Sequence, residues 1–124
     1  MPLKRQDIDI QQENLAYQGY SSIKQYQLRR KNFQDQWSQS FPLEIVHRPA
    51  ASIVLPYDPI RQQVVLISQM RLGAYHDKNS PWIWECVAGI IEANETPQAA
   101  AERELQEEAG LTAKSLELVY EYWV

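Results

Sequence analysis

The sequence predicts an α/β protein in which a small antiparallel β part precedes a part that combines strands with a helix. Three observations support this fold class. Polar and apolar residues alternate early in the chain, apolar β-branched runs follow after residue 49, and helix-start and helix-stop residues bracket a segment near residue 100. With 124 residues, 44% of them hydrophobic, the chain can form one compact domain or a core with an appendage.

The N-terminal part is predicted to form a partly solvated antiparallel sheet. Over residues 21–32, apolar side chains recur among Lys, Gln and Arg, as in a strand with one solvated face. A second run, Phe41–His47, ends shortly before Pro49, after which the chain becomes far more apolar. We therefore expect an N-terminal β domain over residues 1–48 and a core domain over residues 49–124.

Three apolar segments of the core are predicted to be strands. Residues 50–57 and 64–67 flank a turn signal at Asp58, so we expect them to pair as a hairpin, with residues 64–67 buried on both faces. Strand character resumes over residues 82–88, and Gly89 is expected to mark a sharp exit from that strand.

One helix is predicted after this glycine. Thr96 offers a hydroxyl as N-cap, and Pro97 suits the first helical position because the N–H that it lacks would be unpaired there. The helix should run to about Ala109 and end at Gly110 in a left-handed conformation. Beyond it, residues 116–124 alternate Leu and Tyr against Glu, which predicts a final strand.

Charge and cysteine content exclude several classes of function. The formal net charge of −4 argues against coating of nucleic acid, and the apolar runs are too short to span a membrane. The single cysteine, Cys86, cannot form an internal disulfide, so the cytoplasm is the expected compartment. An acidic protein can still bind an anionic metabolite when a cation bridges the two.

Three carboxylates share one face of the predicted helix, because Glu104, Glu107 and Glu108 stand at i, i+3 and i+4. At separations of roughly 5 to 6 Å, each like-charge pair costs on the order of 3 kcal/mol before screening. Carboxylate oxygens suit Mg²⁺ or Mn²⁺, and the sequence lacks the Cys and His set that zinc needs, so Mg²⁺ is the first choice. Taken alone, such a triplet is more simply explained as a solvated helix face.

The triplet belongs to a longer pattern of fixed residues. From residue 89 to residue 111 the chain reads Gly89, five residues, Glu95, seven residues, Arg103-Glu104-Leu105, one residue, Glu107-Glu108, one residue and Gly110-Leu111. This segment resembles the signature of the Nudix hydrolases at every fixed position. The resemblance implies a loop, a helix and a second loop that hold a divalent metal ion against a pyrophosphate, which water then attacks.

The resemblance also implies roles for individual residues. Glu104 and Glu108 would be the main metal ligands, and the backbone carbonyl of Ala88 would complete the metal shell. Glu107 would be an auxiliary ligand, so all three glutamates are catalytic candidates. Structural roles within the motif, including an ion pair that pins the loop to the helix, fall to Gly89, Glu95, Arg103 and Gly110.

Outside the signature, the chain resembles the ADP-ribose pyrophosphatase branch of the family. The segments that carry this resemblance are residues 17–20, 26–29, 51–59, 64–71 and 81–89. It implies an α/β/α sandwich with a mixed sheet, preceded by the small β domain, and a homodimer in which that domain crosses to the partner subunit. The implied reaction is metal-dependent hydrolysis of ADP-ribose, a nucleoside diphosphate sugar, to AMP and ribose 5-phosphate.

Aromatic and arginine side chains are the candidates for contacts with the base and the phosphates. Arg71 ranks first because it directly follows a predicted buried strand, and Arg48, Trp37 and Phe33 are further substrate-binding candidates. Glu85 lies in the strand that leads to the metal turn. It would either orient a water molecule at the metal or face solvent.

Two alternatives stay open. One is hydrolysis of another nucleoside diphosphate derivative such as a GDP-sugar, because related Nudix enzymes share the N-terminal β domain. The other is a nucleotide-binding scaffold without turnover. The resemblance further implies that relatives continue past the position of Val124 through a loop that supplies another catalytic glutamate. We therefore expect this chain to be part of a longer enzyme, with weak activity or none by itself.

Overall fold

The computed structural model describes residues 3–76, 78 and 80–123. The chain divides between Pro49 and Ala50 into two compact units, each with its own secondary structure. The part of the chain described here forms strands, one α-helix and two short 3-10 helices, which confirms the predicted α/β class. Within the described ranges, no helix is long and apolar enough to cross a membrane.

The N-terminal unit is a three-stranded antiparallel sheet. Its strands are β1 (Ile8–Gln18), β2 (Ser22–Arg30) and β3 (Phe41–His47), with β2 in the centre. Among the described residues of this unit, Leu28 is the one hydrophobic side chain that is buried. The sheet is therefore mostly solvated, as the polar alternation predicts.

Strand β1 is the element of this unit that the sequence pattern missed. Its pairing with β2 shifts register between Ile10 and Gln12 and again between Leu15 and Tyr17. Each shift interrupts the alternation of side chains between the two faces, so the period of two is lost along the strand. Local bulges thus explain why β1 gave no clear signal.

The described residues of the second unit form six strands, a short 3-10 helix (Leu72–Ala74) and the α-helix. In chain order the strands are β4 (Ala51–Val54), β5 (Tyr57–Asp58), β6 (Gln63–Val64), β7 (Ile67–Met70), β8 (Trp82–Glu85) and β9 (Val87–Ile90). β4 pairs with β9, β5 with β6, and β7 with β8. All three pairs are antiparallel, so the mixed sheet and the complete α/β/α sandwich stay predictions.

The predicted hairpin between residues 50–57 and 64–67 is wrong for most of its length. Only β5 and β6 pair, while β4 and β7 take β9 and β8 as partners. Residues 64–66 are also between 39 and 48% exposed, so this run is not buried on both faces. An apolar run indicates a strand but not its partner, because pairing depends on residues far away in sequence.

The predicted strand over residues 82–88 is divided at Cys86. β8 and β9 lie on either side of this half-buried residue and pair with different strands. Gly89, which was expected to mark the exit from the strand, instead lies inside β9, opposite Ser52. A turn therefore does not explain the glycine at this position.

The helix α1 (Pro97–Ala109) confirms the predicted helix together with both of its ends. The Thr96 hydroxyl accepts a hydrogen bond from the Ala99 N–H at 3.1 Å. At the other end, Gly110 has a φ of 64°, and its N–H donates to the Gln106 carbonyl at 3.0 Å. Local capping residues therefore determine where this helix begins and ends.

The C-terminal segment departs from the prediction. Residues 116–123 form no strand, and the described part of the chain provides no sheet partner for them; Val124 lies outside the described residues. Leu118, Val119 and Trp123 are at least 80% exposed. Alternation of apolar and polar residues creates a suitable face, but a strand also needs a neighbour for its backbone hydrogen bonds.

Helix α1 packs on the β4 and β9 strands, and this contact forms the core of the second unit. The core residues come from both strands and the helix: Val54, Val87, Ala101 and Leu105. Because the buried face of α1 lies on β9, residues on adjacent faces of the helix are also brought close to that strand.

Candidate active site

The glutamates Glu104 and Glu108 meet two consecutive backbone positions of strand β9. The carboxylate of Glu104 lies against Gly89, and one carboxylate oxygen of Glu108 accepts a hydrogen bond from the Ala88 N–H at 3.2 Å. The two glutamates are four residues apart, which is about one helical turn. Packing of α1 on β9 thus brings two of the predicted metal ligands to the strand segment that carries the third, Ala88.

Residue 89 must be a glycine because a larger residue would not fit beside Glu104. A Cβ added at this position would overlap the carboxyl group of Glu104. The Glu104 side chain is 13% exposed, so it has little freedom to move away without losing its present contacts. This close approach of a carboxylate to the strand, and not a sharp turn, explains the glycine.

The Glu108 carboxylate is held by two neutral donors. The Gln69 side-chain amide donates from Nε2 to Oε1 at 2.6 Å, and the Ala88 N–H donates to Oε2. Neutral donors satisfy the oxygens but leave the negative charge for a cation. Gln69 was not among the sequence candidates. A single glutamine in a strand gives no indication of its partner in the sequence, and its half-burial is known only from the structure.

Arg103 connects the helix to the loop that precedes it. Its Nε and Nη2 donate to the two oxygens of Glu95, each at 3.0 Å, and Nη2 also donates to the Ile90 carbonyl at 2.9 Å. Its Nη1 donates to Glu104 at 2.6 Å and to Glu107 at 3.2 Å. The Arg103 guanidinium lowers the pKa of Glu95, and the carboxylates in turn raise the pKa of Arg103.

Glu107 differs from the other two glutamates of the triplet. Its side chain is 58% exposed, and its hydrogen bond is the one from Arg103. Among the described residues, no three carboxylate, histidine or cysteine side chains converge in an arrangement that could hold a metal ion. The groups gathered at β9 are two carboxylates and the backbone of Ala88, and carboxylate and carbonyl oxygens are the ligands that suit Mg²⁺ or Mn²⁺.

Arg71 and Glu85 form a bidentate ion pair across the β7 and β8 strands. The Arg71 Nε lies 2.9 Å from Oε1 of Glu85, and Nη2 lies 2.6 Å from Oε2. The hydrogen bonds lower the pKa of Glu85 and raise the pKa of Arg71, to which the nearby charge of Glu108 also contributes. Both Glu85 oxygens thus contact Arg71. The sequence gave no indication of this pair, because the two residues are 14 positions apart.

The other predicted substrate contacts belong to the N-terminal unit. The guanidinium of Arg29 lies 4.8 Å from the centre of the Trp37 ring, and the Lys31 ammonium lies 5.5 Å from it. Phe33 is 85% exposed and lines one shallow hollow together with Trp37. Arg48 is exposed, directly after β3. Their roles in substrate binding stay predictions.

Comparisons with known proteins place the candidate site in context. A family profile described as "NUDIX domain" matches residues 46–123. The ADP-ribose pyrophosphatase of Escherichia coli (strain K12) is 41% identical over 110 residues, which cover 89% of this chain and 53% of that protein. The ADP-ribose pyrophosphatase of Haemophilus influenzae is 38% identical over 122 residues, covering 96% of this chain and 56% of that protein.

A more distant relative carries a different name. The GDP-mannose pyrophosphatase of Yersinia pestis (strain Pestoides F) is 30% identical over 82 residues, which cover 65% of this chain and 41% of that protein. The chain spans about half the length of the ADP-ribose pyrophosphatases that it matches. The signature residues 89–111 extend from β9 through the loop and α1 to the two residues that follow the helix. Because the profile matches more than half of the chain, the chain belongs to the Nudix family.

Proposed function

We propose that this chain contains the metal site of a longer hydrolase that cleaves the pyrophosphate bond of ADP-ribose, yielding AMP and ribose 5-phosphate, with Mg²⁺ or Mn²⁺. The observation that carries the proposal is the contact of Glu104 and Glu108 with the consecutive residues Ala88 and Gly89. The relatives at 38 and 41% identity, both named ADP-ribose pyrophosphatase, support the substrate.

The proposed metal ligands are Glu104, Glu108 and the Ala88 carbonyl, with Glu107 as an auxiliary ligand. Two features of the site suit a divalent cation. Glu108 is held by neutral donors that leave its charge free, and Gly89 leaves the space that the Glu104 carboxylate occupies. When bound, Mg²⁺ would offset the negative charge of the pyrophosphate and lower the pKa of a water ligand.

The remaining residues of the proposed site bind and orient. Arg103 holds the Glu104 carboxylate while its bidentate contact with Glu95 keeps the preceding loop on the helix. Arg71, whose own charge lies near Glu108, is the proposed contact for a phosphate oxygen of the substrate. Glu85 fixes the direction of that guanidinium through Nε and Nη2.

The N-terminal unit is proposed to contact the adenosine part of the substrate through Phe33, Trp37 and Arg48, and to form a homodimer. Support for a dimer comes from large apolar side chains that lie 45 to 58% exposed on its sheet: Ile8, Ile10, Leu15, Tyr17, Leu43, Ile45 and Val46. The α/β/α sandwich and the cytoplasmic location belong to the same proposal. Their support is the family membership and the single cysteine.

A second candidate function is hydrolysis of a GDP-sugar, which the Yersinia pestis relative supports. A third is nucleotide binding without turnover, which stays open because the chain spans about half the length of the relatives that it matches. ADP-ribose remains the first proposal because the relatives of that name are more similar and match more of the chain.

One experiment separates these functions. The chain is incubated with ADP-ribose or GDP-mannose, with and without Mg²⁺, and the nucleoside monophosphate and sugar phosphate are quantified. We expect AMP and ribose 5-phosphate only when Mg²⁺ is present, and in small amounts, because weak activity is expected of part of a longer enzyme. Much faster release of GMP from GDP-mannose would overturn the proposed substrate. Tight binding of ADP-ribose without AMP release would favour the binding function.

A further inference from the structure

The carboxylate of Glu108 is fixed from two different strands. Gln69 on β7 contacts Oε1 at 2.6 Å, and Ala88 on β9 contacts Oε2 at 3.2 Å. The first of these hydrogen bonds joins side chains 39 residues apart in sequence. It therefore ties strand β7 directly to helix α1.

The alternation of β7 explains why Gln69 faces the helix. Ile67 and Gln69 are half-buried, whereas Ser68 and Met70, which point to the other side of the strand, are exposed. Ile67 packs against the core that includes Leu105. With Ile67 anchored in that core, the next residue on the same face, Gln69, lies beside the helix turn that carries Glu108.

We propose that Gln69 is a positioning residue that holds Glu108 in the orientation needed to bind a divalent cation. The inference rests on the proposed metal-dependent function and extends it to a residue outside the Nudix signature. Gln69 acts through Glu108 and has no direct contact with the cation in this proposal.

An amide is chemically suited to this task. A glutamate side chain has three rotatable bonds, so an unrestrained Glu108 carboxylate would occupy several positions. The amide N–H of Gln69 selects one position without neutralising the charge, whereas an arginine there would compete with the cation.

The test measures binding of Mn²⁺ alone to the full chain by electron paramagnetic resonance, for the wild type, Gln69→Met and Gln63→Met. Met keeps the length of Gln but cannot donate a hydrogen bond. Gln63 lies exposed on β6 and provides the matched control. We expect Gln69→Met to weaken Mn²⁺ binding about 10-fold or more, as substitutions of residues behind metal ligands generally do, and Gln63→Met to change nothing.

A double-substitution cycle distinguishes positioning from general destabilisation. In a Glu108→Asp background the shorter carboxylate is withdrawn from Gln69, so Gln69→Met should weaken Mn²⁺ binding by less than a further twofold. An equal further loss in that background would overturn the inference. So would wild-type Mn²⁺ affinity in Gln69→Met. If Gln69→Met unfolds, Gln69→Asn, which keeps an amide but is too short to reach, takes its place in the cycle.

The outcomes separate this inference from the proposed function. Wild-type Mn²⁺ binding that is weakened by Glu108→Gln but not by Gln69→Met would contradict the positioning role alone. Absence of Mn²⁺ binding by the wild-type chain, or equal binding by Glu108→Gln, would contradict the metal site itself and the inference with it.

Discussion

Substitution of Gly89 by alanine is the sharpest probe of the candidate site. The added methyl group would occupy space that the Glu104 carboxyl group fills, so one of the two must move. Glu104 is the flexible partner, because its carboxylate is the far end of a side chain with three rotatable bonds. We therefore expect Gly89→Ala to displace a proposed metal ligand while β9 keeps its place in the sheet.

The expected cost in stability has three contributions, one of which is the hydrogen bond from Arg103 that the displaced Glu104 carboxylate loses. Forcing a side chain away from its preferred rotamer costs about 0.5 to 1.5 kcal/mol. Alanine in place of glycine within a strand raises the free energy of unfolding by roughly 0.5 to 1 kcal/mol, because it restricts the unfolded chain. Loss of the hydrogen bond from Arg103 to Glu104 adds about 1.5 to 3 kcal/mol, so the free energy of unfolding should fall by roughly 1 to 4 kcal/mol, which lowers Tm by several degrees.

The effect on metal binding is the specific consequence of this substitution. Displacement of the Glu104 carboxylate should weaken Mn²⁺ binding about 10- to 100-fold and lower metal-dependent turnover with it. Gly73→Ala is the matched control, because a Cβ at Gly73 would meet no atom within 4 Å. Thermal unfolding and Mn²⁺ titration of both variants provide the comparison. Equal Mn²⁺ affinity in the two variants would refute the reasoning.

Three further predictions concern the helix and its loop. Thr96→Ala removes the N-cap hydrogen bond and should lower the free energy of unfolding by about 1 kcal/mol in urea titrations, whereas Thr96→Ser should not. Leu105→Ala opens a cavity at a residue that is 2% exposed and should cost about 2 to 5 kcal/mol in the same titrations; a cost below 1 kcal/mol would contradict the assigned core. Because Arg103 lowers the pKa of Glu95 below its ordinary 4.5, this pair stabilises the fold above pH 4.5 and ceases to do so as the pH falls through the lowered pKa. Glu95→Gln should therefore make the free energy of unfolding less dependent on pH below 4.5, and an unchanged acid profile would exclude this contribution.

The helix and its ends were predictable because their signals are local. Thr96, Pro97 and Gly110 lie within the helix or next to its ends, and each acts through its own backbone conformation or a neighbour three or four residues away. The spacing of Glu104 and Glu108 likewise determines their common face without reference to the rest of the fold. This part of the candidate site could be inferred from the sequence alone.

Strand pairing and the contacts across it could not be inferred in this way. The β4 strand pairs with β9, more than thirty residues later, and nothing in the apolar run of β4 distinguishes β9 from a nearer partner. The ion pair of Arg71 with Glu85 depends on the pairing of β7 with β8, and the contact of Gln69 with Glu108 depends on the packing of α1. The reason for Gly89 was misjudged for the same cause, since Glu104 approaches it only in the folded unit.

The most direct measurement is AMP release from ADP-ribose by this chain and by its Glu108→Gln variant, each with and without millimolar Mg²⁺. The substitution removes one charge with little change of shape, and circular dichroism can verify that the fold is kept. The account predicts weak but Mg²⁺-dependent AMP release by the wild-type chain, in line with the low activity expected of part of a longer enzyme, and its loss in Glu108→Gln. AMP release that is independent of Mg²⁺, or equal in the two proteins, would contradict it.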